Sequence, residues 1–114
     1  MTKGLHLVID LYNVDANLLK TVDTVKRILE TGVEKVELNK VYSFYNQFEP
    51  HGVSGVIILA ESHISIHTWP EDNFAAIDIF VCSDFGKAFQ YAEYITETFN
   101  AHHVKKNVML RGSN

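Results

Sequence analysis

Residues 53–82 decide the fold of this chain, and they read VSGVIILAESHISIHTWPEDNFAAIDIFVC. Extended segments at residues 53–60, 62–69 and 74–82 follow one another here, separated only by short polar or proline-containing connections. β-Branched and aromatic residues dominate each segment, which is typical of strands. The sequence therefore predicts a meander of three strands at the centre of the chain.

Two amphipathic helices are predicted, one on each side of the meander. In residues 16–31 apolar side chains recur at intervals of three and four, and Gly32 follows as a C-terminal stop. Residues 85–100 repeat this spacing after Ser83 and Asp84, which are candidate caps.

Further strands are predicted at residues 4–11, 36–45 and 104–110, and a polar loop at residues 46–52. This order of elements predicts an α+β fold, a two-layer sandwich in which both helices cover one face of an antiparallel sheet. The central strands are apolar on both sides, so the second face also needs a cover. A second copy of the chain, forming a homodimer, is the expected one.

The composition fits a single globular domain spanning residues 1–114, and it argues against some classes of binding partner. Net charge is -4 and the basic residues are scattered, which argues against nucleic acid. No apolar run approaches the ~18–20 residues of a membrane span, so we expect no membrane segment. The single cysteine, Cys82, cannot form an internal disulfide, and a reducing cytoplasm is the expected compartment.

Residues 60–71 carry polar groups that an apolar meander does not explain. In a regular strand Glu61, His63 and His67 would lie on one face and Ser62 on the other. A metal site using His63, His67 and Glu61 or Glu71 is disfavoured, because the His-x-x-x-His spacing shares a face mainly on a helix. A hydrolase triad is disfavoured because there is no Gly-x-Ser-x-Gly elbow. We therefore expect no metal, and a hydrogen-bonded structural cluster stays open for any single residue.

A family resemblance accounts for these residues together. The stretch ESHISIHTWPE at residues 61–71 resembles the processing and active-site signature of the small prokaryotic S-adenosylmethionine decarboxylase proenzymes. The blocks FEPHGVSG at residues 48–55 and AAIDIFVC at residues 75–82 agree with that family in order and spacing. The departures lie outside the blocks, notably in a short C-terminal end.

The resemblance implies that the chain cleaves itself to make a pyruvoyl cofactor for polyamine biosynthesis. The Ser62 hydroxyl would attack the carbonyl of Glu61, which requires a near-attack geometry and a stabilised oxyanion. Elimination would then leave a β chain of residues 1–61 and an α chain of residues 62–114 that begins with the pyruvoyl group. Its carbonyl would form a Schiff base with S-adenosylmethionine and accept electrons as carbon dioxide leaves. A dimer of precursors would mature to two α and two β chains.

The same resemblance assigns roles to five side chains. His67 would be the proton acceptor in processing, and Ser54 would help to position the ester. Cys82 would donate the proton after decarboxylation, although a lone cysteine in an apolar strand otherwise indicates only packing. Phe48 and His67 would sandwich the adenine, and Glu71 would bind the ribose hydroxyls.

Two alternatives to this function remain open. A protein of the same fold and cofactor could decarboxylate ornithine or arginine, because a fold does not fix a substrate. Retention of Phe48 and Glu71 favours the nucleoside. A regulatory or assembly subunit that never cleaves is disfavoured, because Ser54, Ser62, His67 and Cys82 are all present. The remaining polar residues are predicted to be structural or solvated: His6, Asp10, His63, Asp78, His102 and His103.

Overall fold

A computed structural model describes residues 1–113 and places six strands in one sheet. The strands are β1 (Gly4–Tyr12), β2 (Lys40–Gln47), β3 (Val53–Leu59), β4 (Ser62–Trp69), β5 (Phe74–Val81) and β6 (His103–Arg111). Their spatial order is β2-β3-β4-β5-β1-β6, and every neighbouring pair is antiparallel. Helices α1 (Val22–Val36) and α2 (Phe85–Phe99) complete the chain. The predicted α+β sandwich is confirmed.

The core lies between the helices and one face of the sheet. Alternate residues of the central strands are fully buried there, as the period of two requires, among them Ile9, Ile57 and Ile64. The helices contribute Leu29, Tyr91, Val33, Ile95 and Phe99. Burying one such side chain contributes roughly 1.5–3 kcal/mol, so this layer holds both helices on the sheet.

The first helix differs from its prediction at both ends. Residues 16–18 form only a short 3-10 helix, and α1 begins after Thr21, whose side chain accepts a hydrogen bond from the Thr24 N–H. The helix then runs through Gly32, where an added Cβ would lie 2.6 Å from the ring of Tyr94. Gly32 therefore permits close contact with α2, and the prediction that it ends the helix was wrong.

Other element ends shift for local reasons. Glu37 ends α1 in the left-handed conformation with a φ of 61°, so the strand predicted to begin at residue 36 begins at Lys40 instead. Asn46 and Gln47 belong to β2 rather than to the predicted loop. Asp84 occupies the N-cap position of α2, but its side chain makes no capping hydrogen bond.

The sheet face opposite the helices is called the open face, and it mixes apolar and polar side chains. Tyr42, Phe44 and Ile58 are exposed there, while Val8 and Phe80 are half-buried. Polar groups lie among them: His6, Asp10, Ser65 and Asp78. Among residues 1–113 no helix is long and apolar enough to cross a membrane.

Candidate active site

A cavity of about 610 Å³ opens at one end of the sheet, where β3 begins and β4 ends. Its size falls in the ~300–1,000 Å³ range of small-molecule sites. Its walls include Phe48, His67 and Glu71, the three residues that the sequence predicts to bind substrate. The other lining residues are Lys20, Glu49, Pro50, His51, Val53, Thr68, Trp69 and Pro70. This cavity is called the pocket below.

One wall of the pocket is the loop of residues 48–52. The Phe48 N–H donates to the Gly52 carbonyl at 2.8 Å, and the Gly52 N–H donates to the Lys20 carbonyl at 3.0 Å. Gly52 has a φ of 119°, a conformation that suits glycine. The loop is therefore closed on itself and attached to the segment that precedes α1.

The floor of the pocket is fixed by a buried hydroxyl. Thr68 is 6% exposed, accepts a hydrogen bond from the Val53 N–H at 2.9 Å and donates to the Leu19 carbonyl at 2.8 Å. Buried hydroxyls need such partners, so these bonds favour one position of β4 relative to its neighbours.

The strand leading into the pocket loop is fastened to α1 by Glu30. Lys40 Nζ, Ser43 Oγ and Tyr45 Oη donate to the Glu30 carboxylate at 2.6, 2.8 and 3.0 Å. Burial alone would raise the pKa of Glu30, but these three hydrogen bonds outweigh it and lower the pKa below its usual 4.5. Burial and the bond to Glu30 raise the pKa of Tyr45.

Aromatic rings dominate the pocket wall that β4 provides. The rings of His67 and Trp69 are 6.2 Å apart, and the ring of Trp69 is 5.4 Å from that of Phe74. Phe48 is 49% and Trp69 39% exposed, so both rings have free surface for a ligand. Flat apolar faces suit a purine ring, and they also attract a sulfonium cation. Sequence reasoning missed Trp69, although it lies two residues after His67 and so on the same strand face.

Glu61, Ser62 and Cys82 lie together at the opposite end of β4, called the processing end. Leu59 pairs with Ser62, so the hairpin turns through Ala60 and Glu61. Glu61 has a φ of 63°, which is uncommon for a residue that is neither glycine, asparagine nor aspartate. The Cys82 N–H donates to Ser62 Oγ at 3.2 Å, so Cys82 and Ser62 are neighbours.

Within one chain the pocket and the processing end are far apart. Ser62 and His67 are five residues apart on β4, a distance of ~16 Å at about 3.3 Å per residue. Ser54 pairs directly with His67 across β3 and β4, and it therefore belongs to the pocket end.

The remaining predicted structural residues cluster on the open face. His6 Nε2 lies 3.5 Å from Asp78 Oδ1, and Ser65 Oγ donates to Asp78 Oδ2 at 3.3 Å. The His63 ring is 5.7 Å from that of Phe80. Within residues 1–113 no three His, Cys, Asp or Glu side chains are placed to hold a metal ion.

Comparison with known proteins gives one consistent result. The family model described as S-adenosylmethionine decarboxylase matches residues 5–112. The S-adenosylmethionine decarboxylase proenzyme of a Hydrogenobaculum species is 47% identical over 97% of this chain and 83% of its own length. The proenzyme of Archaeoglobus fulgidus is 42% identical over 98% of this chain and all of its own.

A solved structure agrees with the sequence matches. The crystal structure of the adenosylmethionine decarboxylase from Aquifex aeolicus has a TM-score of 0.95 and is 43% identical in sequence. The match covers 99% of this chain and 93% of that one.

Proposed function

The chain belongs to the S-adenosylmethionine decarboxylase family, and we propose that it decarboxylates S-adenosylmethionine with a pyruvoyl group made from its own Ser62. The family is pyruvoyl-dependent, and its members are carboxy-lyases. The product, decarboxylated S-adenosylmethionine, is the aminopropyl donor for spermidine. The observation that carries the proposal is the pocket, which gathers Phe48 from a loop, His67 from β4 and Glu71 from the short 3-10 helix Pro70–Asp72.

The processing end fits the formation of a pyruvoyl group. In the proposed first step Ser62 Oγ bonds to the carbonyl carbon of Glu61, the peptide C–N bond breaks, and an ester replaces the amide. A base then removes the Ser62 α-proton, and the Glu61 carboxylate leaves with the ester oxygen. Water replaces the nitrogen at residue 62 and ammonia departs. The positive φ of Glu61 supports this assignment, because backbone strain of ~1–3 kcal/mol at a scissile bond is relieved by cleavage.

In turnover the pyruvoyl group supplies a covalently attached electron sink for the bond electrons left behind by carbon dioxide. Cys82 is the proposed proton donor to the substrate α-carbon. Its support is the 3.2 Å hydrogen bond that makes it the neighbour of Ser62.

The pocket is the proposed site for the nucleoside part of the substrate. The rings of Phe48 and His67 have free surface for the adenine, and Trp69 extends this aromatic wall. The carboxylate of Glu71 is an acceptor that suits a pair of ribose hydroxyls. These contacts select a nucleoside over ornithine or arginine, which have no ring to stack.

We infer that the chain forms a homodimer in which the processing end of one β4 meets the pocket end of the partner's β4. Proton transfer needs a base within ~2.6–3.2 Å of its target or one water away, which a separation of ~16 Å within one chain does not provide. A two-fold axis that runs along the open face, across the middle of β4 and perpendicular to it, would place each end of β4 against the opposite end of the partner's β4. The partner's pocket end would then supply the proton acceptor His67 and the positioning Ser54 to each Ser62. Each mature dimer would contain two α and two β chains.

The open face is the proposed dimer interface, because Tyr42, Phe44 and Ile58 form exposed apolar surface on it. The single free cysteine supports a reducing cytoplasm as the compartment.

Intact-mass spectrometry and carbon dioxide release test the proposal. Purified protein should resolve into residues 1–61 and residues 62–114, the latter without a free amino terminus. It should release carbon dioxide from S-adenosylmethionine and not from ornithine or arginine. A Ser62→Ala variant should stay whole and inactive. Recovery of only the intact chain after long incubation at neutral pH would contradict self-cleavage.

A further inference from the structure

The side chain of Gln47 makes four hydrogen bonds at the edge of the pocket. Its Oε1 accepts from the Val22 N–H at 2.9 Å, at the first turn of α1. Its Nε2 lies 2.8 Å from the Lys20 carbonyl oxygen, 3.0 Å from that of Gly52 and 3.1 Å from that of Phe48. One amide therefore joins the end of β2, both ends of the pocket loop and the segment before α1.

These contacts require an amide and no other group. The oxygen faces a helix N–H that has no partner within its own helix. The nitrogen faces three carbonyl oxygens, which a carboxylate would repel. The partners on each side also fix which atom is oxygen and which is nitrogen.

We propose that Gln47 is a positioning residue for the substrate pocket: it holds residues 48–52 and Lys20 so that Phe48 is already in place when the nucleoside arrives. The inference rests on the assignment of the pocket under the proposed function. Gln47 does not line the pocket, so it acts through Phe48 and not by touching substrate. A preformed wall binds more tightly because the ligand does not have to order the loop.

The proposal differs from a role in helix stability alone. Thr21 caps the same end of α1 through its bond with the Thr24 N–H, at 3.4 Å, but it makes no hydrogen bond to the pocket loop. A Thr21→Ala variant therefore weakens the helix start and leaves the four contacts of Gln47 in place. It is the matched control.

The experiment compares Gln47→Glu, Gln47→Ala, Thr21→Ala and Phe48→Ala in the processed enzyme. Steady-state kinetics give KM and kcat for S-adenosylmethionine. The single tryptophan, Trp69, lines the pocket, so its fluorescence reports the Kd for methylthioadenosine, which keeps adenine and ribose but lacks the amino acid. Melting temperatures record the stability of each variant. If Gln47→Glu does not fold, Gln47→Ala alone tests the role of the side chain.

We expect both Gln47 variants to raise KM and Kd about tenfold while kcat and self-cleavage stay within about twofold. Thr21→Ala should lower the melting temperature without changing KM or Kd. If both Gln47 variants keep the parental KM and Kd while Phe48→Ala raises them, the role of Gln47 is overturned and the pocket assignment stands. An equal rise in Thr21→Ala would also overturn it. If Phe48→Ala raises neither constant, the pocket assignment itself fails.

Discussion

Self-cleavage should require two chains, and mixing two inactive variants tests this directly. Ser62→Ala lacks the nucleophile, and His67→Ala lacks the proposed proton acceptor. Each alone should remain uncleaved. In a mixed dimer one site combines Ser62 of one chain with His67 of the other, so that site is complete, while the second site lacks both groups.

The expected yield follows from the geometry. Because Ser62 and His67 are ~16 Å apart within a chain, we assign no cleavage to a site whose two groups come from one chain. Random assembly of equal amounts puts about half of the dimers in the mixed form, and one of the two sites in each is complete. About a quarter of all sites should therefore cleave.

Co-expression followed by intact-mass spectrometry is the assay. Every released fragment of residues 62–114 should carry the His67→Ala change, because only that chain retains Ser62. As a control, the double variant co-expressed equally with the parent should reduce cleavage to about a quarter of the sites, since mixed dimers contain no complete site. No cleavage in the mixture of single variants, with half the sites cleaved in the control, would show that one chain suffices and refute the reasoning.

Three further predictions concern single side chains. The Cys82→Ala variant should still cleave itself, as mass spectra would show. Its rate of carbon dioxide release should fall ~10²–10⁴-fold, which is the usual contribution of a general acid. A parental rate without progressive inactivation would mean that Cys82 only packs in the fold. Gly32→Ala should lower the free energy of unfolding by about 1–3 kcal/mol, because the added Cβ would overlap the Tyr94 ring, and this outweighs the gain in helix propensity. Denaturant unfolding measures the change, and an unchanged unfolding midpoint would contradict the contact. Glu30→Gln should destabilise the fold by about 1–2 kcal/mol at neutral pH. Since the pKa of Glu30 is lowered, its contribution is present above pH 4.5 and disappears as the pH falls through the folded-state pKa, so parent and variant should converge in acid.

The meander was predictable because its signals are local. Polar or proline-containing connections separate three β-rich segments, and β3, β4 and β5 follow them closely. The end of the first helix was not predictable, because a glycine can either end a helix or allow a neighbouring helix to pack closely against it. Only the packing of Tyr94 on Gly32 distinguishes these uses, and it joins residues 62 positions apart.

The resemblance identified the pocket residues Phe48, His67 and Glu71, and the structure brings all three to one cavity. It gave no sign of Gln47, whose contacts depend on where the loop and the start of α1 meet. Side-chain amides at strand ends are common in sequences, and nothing in the residue order marks this one.

The separation of Ser62 from His67 follows from their both belonging to β4, and β4 cannot bend to remove it. The strand is hydrogen-bonded on both sides, to β3 from Ser62 to His67 and to β5 from His63 to Trp69. Folding Ser62 back to His67 would break both ladders and expose Ile64 and Ile66, which are fully buried, at roughly 1.5–3 kcal/mol each. The proposed ester step only exchanges the peptide C–N bond of Glu61 for a C–O bond at the strand end, and it supplies no such energy. In the proposed homodimer a second chain would bring the two groups together without breaking any strand pairing, so the proposed nucleophile and the proposed proton acceptor would both fit on one rigid strand.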